Sequence, residues 1–176
     1  MVQPVIHITA AGIGEAVLLA EMARTTFVET YAALTDPLNL GFYVDRHFTP
    51  DQMARELGTP GFRYFIARMG DRAVGFAKLR TDRRPRGLEE KKCLEIERIY
   101  VLREFQGFQV GSELIRMTKE LARASGDQVI WLQVWQRNDK AIKFYRQSGF
   151  VIFETAVFHF GNDVQQDFLM KYDLFN

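Results

Sequence analysis

The strand-like stretch Leu94–Val101 carries two carboxylates and a break in its own alternation. Leu94 and Ile96 set one apolar face with Glu95 and Glu97 on the other, and Ile99 and Val101 then resume on the opposite parity. A period-2 strand does this only by taking in an extra residue, so a β-bulge is expected near Glu97-Arg98. A bulge leaves backbone N–H and C=O groups unpaired, and these suit an extended ligand with amides of its own. The alternative is an ordinary strand buried on both faces.

Next comes Gln106-Gly107-Phe108-Gln109-Val110-Gly111-Ser112, a glycine-bearing turn that enters a helix. Such a turn presents unpaired N–H groups to anionic oxygens, as in a pyrophosphate. It is no Walker A loop, because the spacing is short and no Lys-Ser or Lys-Thr follows the last glycine. It is not GxGxxG either, and a plain strand–helix connection explains the glycines equally well. The third stretch is Asn138–Phe150, in which Asn138 or Asp139 caps a helix carrying Ala141, Phe144, Tyr145 and Ser148 on one side. Buried rings usually mean core, which is the plain reading of Phe144. Tyr145 adds a hydroxyl that needs a partner and suits proton donation to a departing thiolate.

The elements that must position these groups follow from periodicity. Ile6 and Ile8 mark a short first strand, and Ile13, Val17, Ala20, Ala23, Phe27 and Tyr31 recur at helical steps. A second helix is expected over Leu38–Val44. A third starts at Thr49-Pro50-Asp51-Gln52, with Thr49 as cap, Pro50 in the first turn and Gln52 at the capping-box position, and ends at Gly58. A hairpin joins Phe62–Met69 to Ala73–Arg80 through Gly70-Asp71, and the charged run Thr81–Glu90 reads as an exposed loop. Strand Cys93–Leu102, helix Val110–Ala124 and the apolar strand Val129–Trp135 come next. Helix Asp139–Ser148 and two strands, Phe150–Phe160 and Val164–Tyr172, complete the chain. The economical packing is α/β: a mixed central sheet with helices on both faces, in a single domain spanning residues 1–176.

Composition narrows the function. The 176 residues are 47% hydrophobic and 13% aromatic, so the chain can bury a core. A formal net charge of +1 supplies no global field for nucleic acid or an anionic membrane, so neither is expected as a partner. The one cysteine, Cys93, excludes an intramolecular disulfide and fits a reducing cytoplasm. His7, His47 and His159 show no metal spacing, and no apolar run reaches the length of a membrane span.

Taken together, the strand, the turn and the Asn138–Phe150 helix resemble the GNAT superfamily, the GCN5-related N-acetyltransferases. The likeness is close over Leu94–Glu154. Gln106 and Gly111 match the ends of that family's phosphate-binding pattern, whereas Gln109 stands where the pattern has its first glycine. The resemblance implies a bulged, splayed strand pair at the centre of the sheet and acetyl-CoA as co-substrate, with no metal. It assigns the pantetheine arm to the backbone of Ile99, Tyr100 and Val101. The pyrophosphate falls to Gln106, Gly107, Phe108, Gln109, Val110, Gly111 and Ser112, and the far side of the cofactor to Asn138, Lys140, Ala141 and Phe144. Tyr145 takes the place of the general acid. Glu97 is favoured as general base, directly or through water, with Glu95 beside it; the alternative is a solvated strand face paired with Arg or Lys.

The N-terminal half is similar to bacterial spermidine/spermine acetyltransferases in TFVETYAAL from Thr26, FYVDRHFTPDQMAREL from Phe42 and FIARMGDRAVGFAKL from Phe65. That likeness implies a small amine, a polyamine first, as acceptor. Phe27, Tyr31 and Tyr43 would offer aromatic faces to it, and Glu29, Glu95 and Glu97 negative charge. Core packing is the competing reading of Phe27 and Tyr31. Peptide or protein amines, amino acids and aminoglycosides stay open as acceptors. Two other classes compete: a non-catalytic acyl-CoA-binding regulatory module, and a nucleotide-binding α/β protein. Many members of the family are dimers, and the final hairpin is a candidate homodimer interface.

Overall fold

A computed structural model describes residues 5–175. Seven strands form one mixed sheet in the order β1-β2-β3-β4-β5-β7-β6. They are β1 Ile6–Ala10, β2 Phe62–Met69, β3 Arg72–Arg80, β4 Cys93–Val101, β5 Val129–Trp135, β6 Val151–Phe160 and β7 Asp163–Asp173. The flanking helices are α1 Ala16–Tyr31, α2 Pro37–His47, α3 Pro50–Leu57, α4 Val110–Ser125 and α5 Asp139–Gln147. The β4–β5 pair is parallel, and β1–β2, β5–β7 and β6–β7 are antiparallel. Element order and sheet class agree with the sequence reading.

Backbone contacts group the chain into two compact units, one of Met1–Lys78 with Arg98–Leu114 and one of Leu79–Glu97 with Ile115–Asn176. The first holds a buried ionic cluster. Lys78, 1% exposed, reaches the Glu56 carboxylate at 2.7 Å, and Glu56 also accepts from Gln52 Nε2 at 2.9 Å and from the Tyr64 hydroxyl. Burial works to raise the Glu56 pKa, but the Lys78 charge and these donors outweigh it and hold the group at about 2. Gly75 is fixed by sterics, because a Cβ there would sit 2.8 Å from the Tyr100 carbonyl oxygen. The second unit contains an apolar cluster of Leu88, Cys93, Val129, Trp131 and Leu169.

Local chemistry explains the helix starts. Thr49 accepts from the Gln52 N–H at 3.1 Å with Pro50 in the first turn. The Gln52 side chain turns to Glu56 and Arg55 rather than back to the cap, so half of a capping box forms. Asp36 caps α2, which runs longer than the expected Leu38–Val44. In α1 the phase differs from the expected stripe. Ile13 and Val17 are more than half exposed, while Ala16, Leu19, Ala20, Met22, Ala23, Thr26 and Phe27 are buried. Ile13 lies in the 3-10 turn Ile13–Glu15 ahead of the helix, whereas Val17 is inside α1 and falls outside the arc that Ala16, Leu19, Ala23 and Phe27 bury. In α5, Ile142 is buried beside Tyr145, and Ala141, Phe144 and Ser148 are half-buried.

The run 81–92 is also more than an exposed loop. Leu88 is 2% exposed in the apolar cluster, and Arg83 reaches a buried carboxylate on β4. Its charges hid this, because the guanidinium heads stay in water while the run inserts one leucine. In β4, Cys93, Leu94, Glu95 and Ile96 are all buried, so both faces are covered at its start. A register shift lies in β6, between Ile152 and Glu154.

Candidate active site

In the second unit, pairing puts alternate residues of four strands on one face of the sheet. Glu95 lies opposite Trp131, Gln133 opposite Leu169, and Trp135 opposite Asp167, which in turn faces Ala156. This face holds two buried carboxylates. Glu95 is 2% exposed; its Oε1 accepts from Arg83 Nη1 at 3.0 Å, and its Oε2 is buried without a hydrogen-bond partner. Burial pushes the Glu95 carboxyl up to about 7 against the opposing pull of Arg83. Asp167 accepts from Gln133 Nε2 at 2.8 Å through Oδ2, while its Oδ1 is buried without a partner. Burial raises its pKa too, with the Gln133 bond working against the shift. Trp131 Nε1 is a third buried polar atom without a partner.

Glu97, the favoured base of the sequence reading, is placed differently. Its Oε2 accepts from Arg80 Nη1 at 3.0 Å, and Arg80 is also bidentate to Asp82, with the closer bond at 2.7 Å. Glu97 therefore sits in a three-member charge cluster, with its side chain 18% exposed. Sequence patterning had no means to separate Glu95 from Glu97, since both precede the parity break. What separates them is burial and the partner that each finds.

In the first unit the turn before α4 has the backbone of a glycine loop. Gly107 has φ +92°, and Gln109 has φ +66°, the one positive φ among the described non-glycine residues. Gln109 thus holds the left-handed conformation that the missing glycine would adopt without cost. The Gln109 carbonyl accepts from the Glu113 N–H at 3.0 Å, the first helical bond, which leaves the amides of Val110, Gly111 and Ser112 without intrahelical partners. Residues Gln106–Gln109 are exposed. Gln106 Nε2 donates to the Val101 carbonyl at 3.1 Å, tying the turn to the end of β4. Ile99, Tyr100 and Val101 are half-buried, and the Leu102 N–H pairs with Val74. These groups fit an anionic ligand at the turn.

In the second unit Asn138 is the α5 cap, its side chain accepting from the Ala141 N–H at 3.1 Å. Lys140 is exposed, Phe144 is half-buried, and Tyr145 is 9% exposed with its ring 5.8 Å from that of Phe150 and 5.3 Å from that of Phe144. The expected acceptor residues of the first unit form an aromatic cluster. Phe27, 7% exposed, stacks on Tyr43 at 4.8 Å and meets Tyr31 at 4.6 Å and Tyr100 at 6.2 Å. Burial first and Tyr31 second push the Tyr100 hydroxyl well above its ordinary range. Glu29 Oε2 accepts from the Arg103 N–H at 3.0 Å, and the Arg103 side chain donates to the Glu29 carbonyl. The structure thus gathers Phe27, Tyr31 and Tyr43 together and engages Glu29 with the turn after β4.

The residues that sequence reasoning passed over are Trp131, Gln133 and Asp167. Their strands read only as apolar or alternating. The signal available was a Gln in a nearly all-apolar strand. Among the described residues no group of three or more His, Cys, Asp or Glu is arranged to hold a metal, and no helix is long and apolar enough to cross a membrane.

Comparison with known proteins bears on this geometry. The family profile of the acetyltransferase (GNAT) family matches residues 21–150. An uncharacterised N-acetyltransferase of Lactobacillus delbrueckii subsp. lactis is 31% identical over 150 residues, covering 85% of this chain and 87% of that protein. The N-alpha-acetyltransferase RimI of Mycobacterium tuberculosis is 33% identical over 109 residues, covering 62% of this chain and 65% of its own. Among solved structures, the PaiA N-acetyltransferase of Thermoplasma acidophilum in complex with coenzyme A superposes with a TM-score of 0.80. That match has 20% identity and covers 96% of this chain and 99% of that one.

Proposed function

The chain belongs to the acetyltransferase (GNAT) family and is an acetyl-CoA-dependent enzyme; on that premise we propose that it acetylates a primary amine of a small molecule, with Glu95 as general base and Tyr145 as general acid. The observation that carries the base assignment is the buried Glu95 carboxylate with one oxygen left without a partner. An acceptor ammonium with a pKa of about 10.4 must lose a proton before it attacks, at a cost of roughly 4.6 kcal/mol at pH 7. A carboxylate whose own pKa lies near 7 is half ionised there and accepts that proton more readily than an ordinary glutamate.

In this reading Glu95 Oε2 takes the proton from the amine, directly or through one water. The amine nitrogen bonds to the acetyl carbon, the carbon–sulfur bond breaks, and Tyr145 donates its hydroxyl proton to the departing thiolate. The amides of Val110, Gly111 and Ser112, together with the turn at Gly107 and Gln109, hold the pyrophosphate. The strand end Ile99–Val101 receives the pantetheine arm, and Asn138, Lys140, Ala141 and Phe144 border the cofactor. Glu97 positions Arg80 rather than moving a proton. Phe27, Tyr31 and Glu29 support the acceptor side through the aromatic cluster and its bond to Arg103. A homodimer across the β6 edge, where Val151 and Val157 are more than half exposed, completes the proposal.

A polyamine is the acceptor that the N-terminal likeness implies, and none of the relatives named above is described as acting on one. RimI is named an N-alpha-acetyltransferase, which favours an α-amine as a second reading. An acceptor panel with acetyl-CoA and thiol detection tests the proposal. Acceptor-dependent CoA release that collapses in both Glu95→Gln and Tyr145→Phe supports it, and full activity of Glu95→Gln at every pH removes Glu95 as base.

A further inference from the structure

Glu95 and Glu97 lie two residues apart on β4 and find different cations. Glu97 Oε2 accepts from Arg80, whose guanidinium is also bonded twice to Asp82. Glu95 Oε1 accepts from Arg83 Nη1 at 3.0 Å, and its Oε2 is buried without a hydrogen-bond partner. Of the charged groups around Glu95, Arg83 acts on it most strongly, followed by Glu97, Arg80 and Asp82. Arg80 is committed to the other two carboxylates, so Arg83 is the cation that serves Glu95. Burial favours the protonated carboxyl, and the Arg83 charge favours the ionised one.

The segment 81–92, between β3 and β4, holds that guanidinium in place. Its Leu88 is buried and packs with Cys93, Val129, Trp131 and Leu169. The Leu88 N–H donates to the Pro85 carbonyl at 3.1 Å, and the Lys91 N–H donates to the Leu88 carbonyl at 3.1 Å. Arg84 Nε donates to the Lys91 carbonyl at 3.2 Å and closes the segment on itself. At the other end of the segment Asp82 is fixed by Arg80. Between these anchors the Arg83 guanidinium lies 5.4 Å from the centre of the Trp131 ring. Trp131 is 1% exposed and lies opposite Glu95 in the β4–β5 pair, so a packed ring and a buried carboxylate hold the same guanidinium. All of these residues belong to the second unit.

We propose that Arg83, delivered by the segment 81–92 and steadied on Trp131, is a positioning residue of the reaction: it fixes Glu95 Oε1 and keeps the carboxylate ionised, so that Oε2 takes the proton. This deepens the acetyltransferase reading and rests on Glu95 as its base. In this role Arg83 acts through Glu95 and not on the substrate. With the guanidinium gone, burial, Glu97 and Asp82 all favour the protonated carboxyl, and Arg80 is held by its own two partners. The base is then ionised only at higher pH. The Arg83 side chain is 45% exposed, so water screens its charge and the effect lies at the low end for such a pair.

The test follows the Glu95 carboxyl itself by 13C NMR of the full chain labelled at the glutamate side-chain carboxyl carbon. The Glu95 signal is identified by its loss in Glu95→Gln, and this measurement needs no acceptor. Beside it, the pH–rate profile is taken with the best acceptor of the panel. In Arg83→Gln the Glu95 titration midpoint should rise by about one pH unit, and the acid limb of the rate should move up by the same amount. Arg83→Lys, which keeps the charge, should show less than about half of that shift. A midpoint that stays or falls in Arg83→Gln overturns the inference, as does an equal shift in Arg83→Lys. A rate lowered by one factor at every pH, with the midpoint in place, marks a merely structural role and overturns it too. Failure of the base reading looks different: the midpoint moves as stated, yet the acid limb of the rate does not follow it.

Discussion

Replacing Glu95 with Gln sets stability against activity in a way that the structure quantifies. The carboxyl ionises near 4.5 in an ordinary setting and near 7 when buried on β4, burial being the larger effect and Arg83 opposing it. The folded state therefore holds its proton to higher pH than the unfolded state. Stability from this group is intact below pH 4.5 and is lost as pH rises through about 7. At pH 8 the ionised carboxylate costs the fold roughly 3 kcal/mol, and at pH 5 less than about 1 kcal/mol. Glu95→Gln removes this dependence while keeping the shape, and Arg83, about half exposed, regains water when its partner loses its charge. The stability of the variant relative to the wild type should accordingly rise by about 2 to 3 kcal/mol between pH 5 and pH 8, whatever its absolute sign at either end. Urea unfolding at both pH values reads this directly. In the same variant kcat should fall by about 10²- to 10⁴-fold, and the rise of rate through pH 7 should vanish. A stability difference that is constant with pH, together with an unchanged rate profile, refutes the reasoning.

Tyr145→Phe keeps the ring packing against Phe150 and removes only the hydroxyl; kcat should drop by about 10²-fold or more with KM nearly unchanged, as steady-state kinetics would show. Gln109→Gly should stabilise the protein by up to about 1 kcal/mol in a thermal or urea melt, although glycine usually destabilises, because φ is already +66° there; CoA affinity by calorimetry should hold or improve. Lys78→Met leaves the buried Glu56 carboxylate with Arg98 at 3.9 Å as its remaining cation and should cost about 3 kcal/mol in urea unfolding at pH 7. The wild type gains stability from Glu56 above its ordinary 4.5 and loses it as pH falls toward about 2, so the variant's deficit should shrink in acid, which repeating the melts at low pH would measure.

Most of the fold was legible because its signals are local. Thr49 with Pro50, Asn138 three residues before Ala141, and the left-handed glycines Gly70 and Gly161 between strands each act within one turn of chain. The expected α1 stripe holds at Ala20, Ala23 and Phe27 and fails at its start, where Ile13 lies in a 3-10 turn and Val17 faces solvent. The glycine-loop backbone at Gln109 was hidden by its side chain, since a residue type states a preference and not a dihedral angle. The acidic face was least legible. Glu95 meets Trp131 only through the β4–β5 pairing, and Asp167 joins them only through β5–β7, so partners far apart in sequence decide which carboxylate is buried. Composition reported nearly balanced charge and concealed the burial of Glu95 and Asp167.

If this chain moves an acetyl group from acetyl-CoA to an amine with Glu95 as the base, proton transfer and acetyl transfer must be lost together in Glu95→Gln. The most direct measurement is acceptor-dependent thiol release, followed over pH for wild type and Glu95→Gln, with mass spectrometry of the acceptor. One added acetyl group is expected for each CoA released, with a wild-type rate that rises through pH 7 and a slow, flat profile for the variant. Acetyl-CoA binding without release for any amine, or a Glu95→Gln profile identical to the wild type, would contradict it.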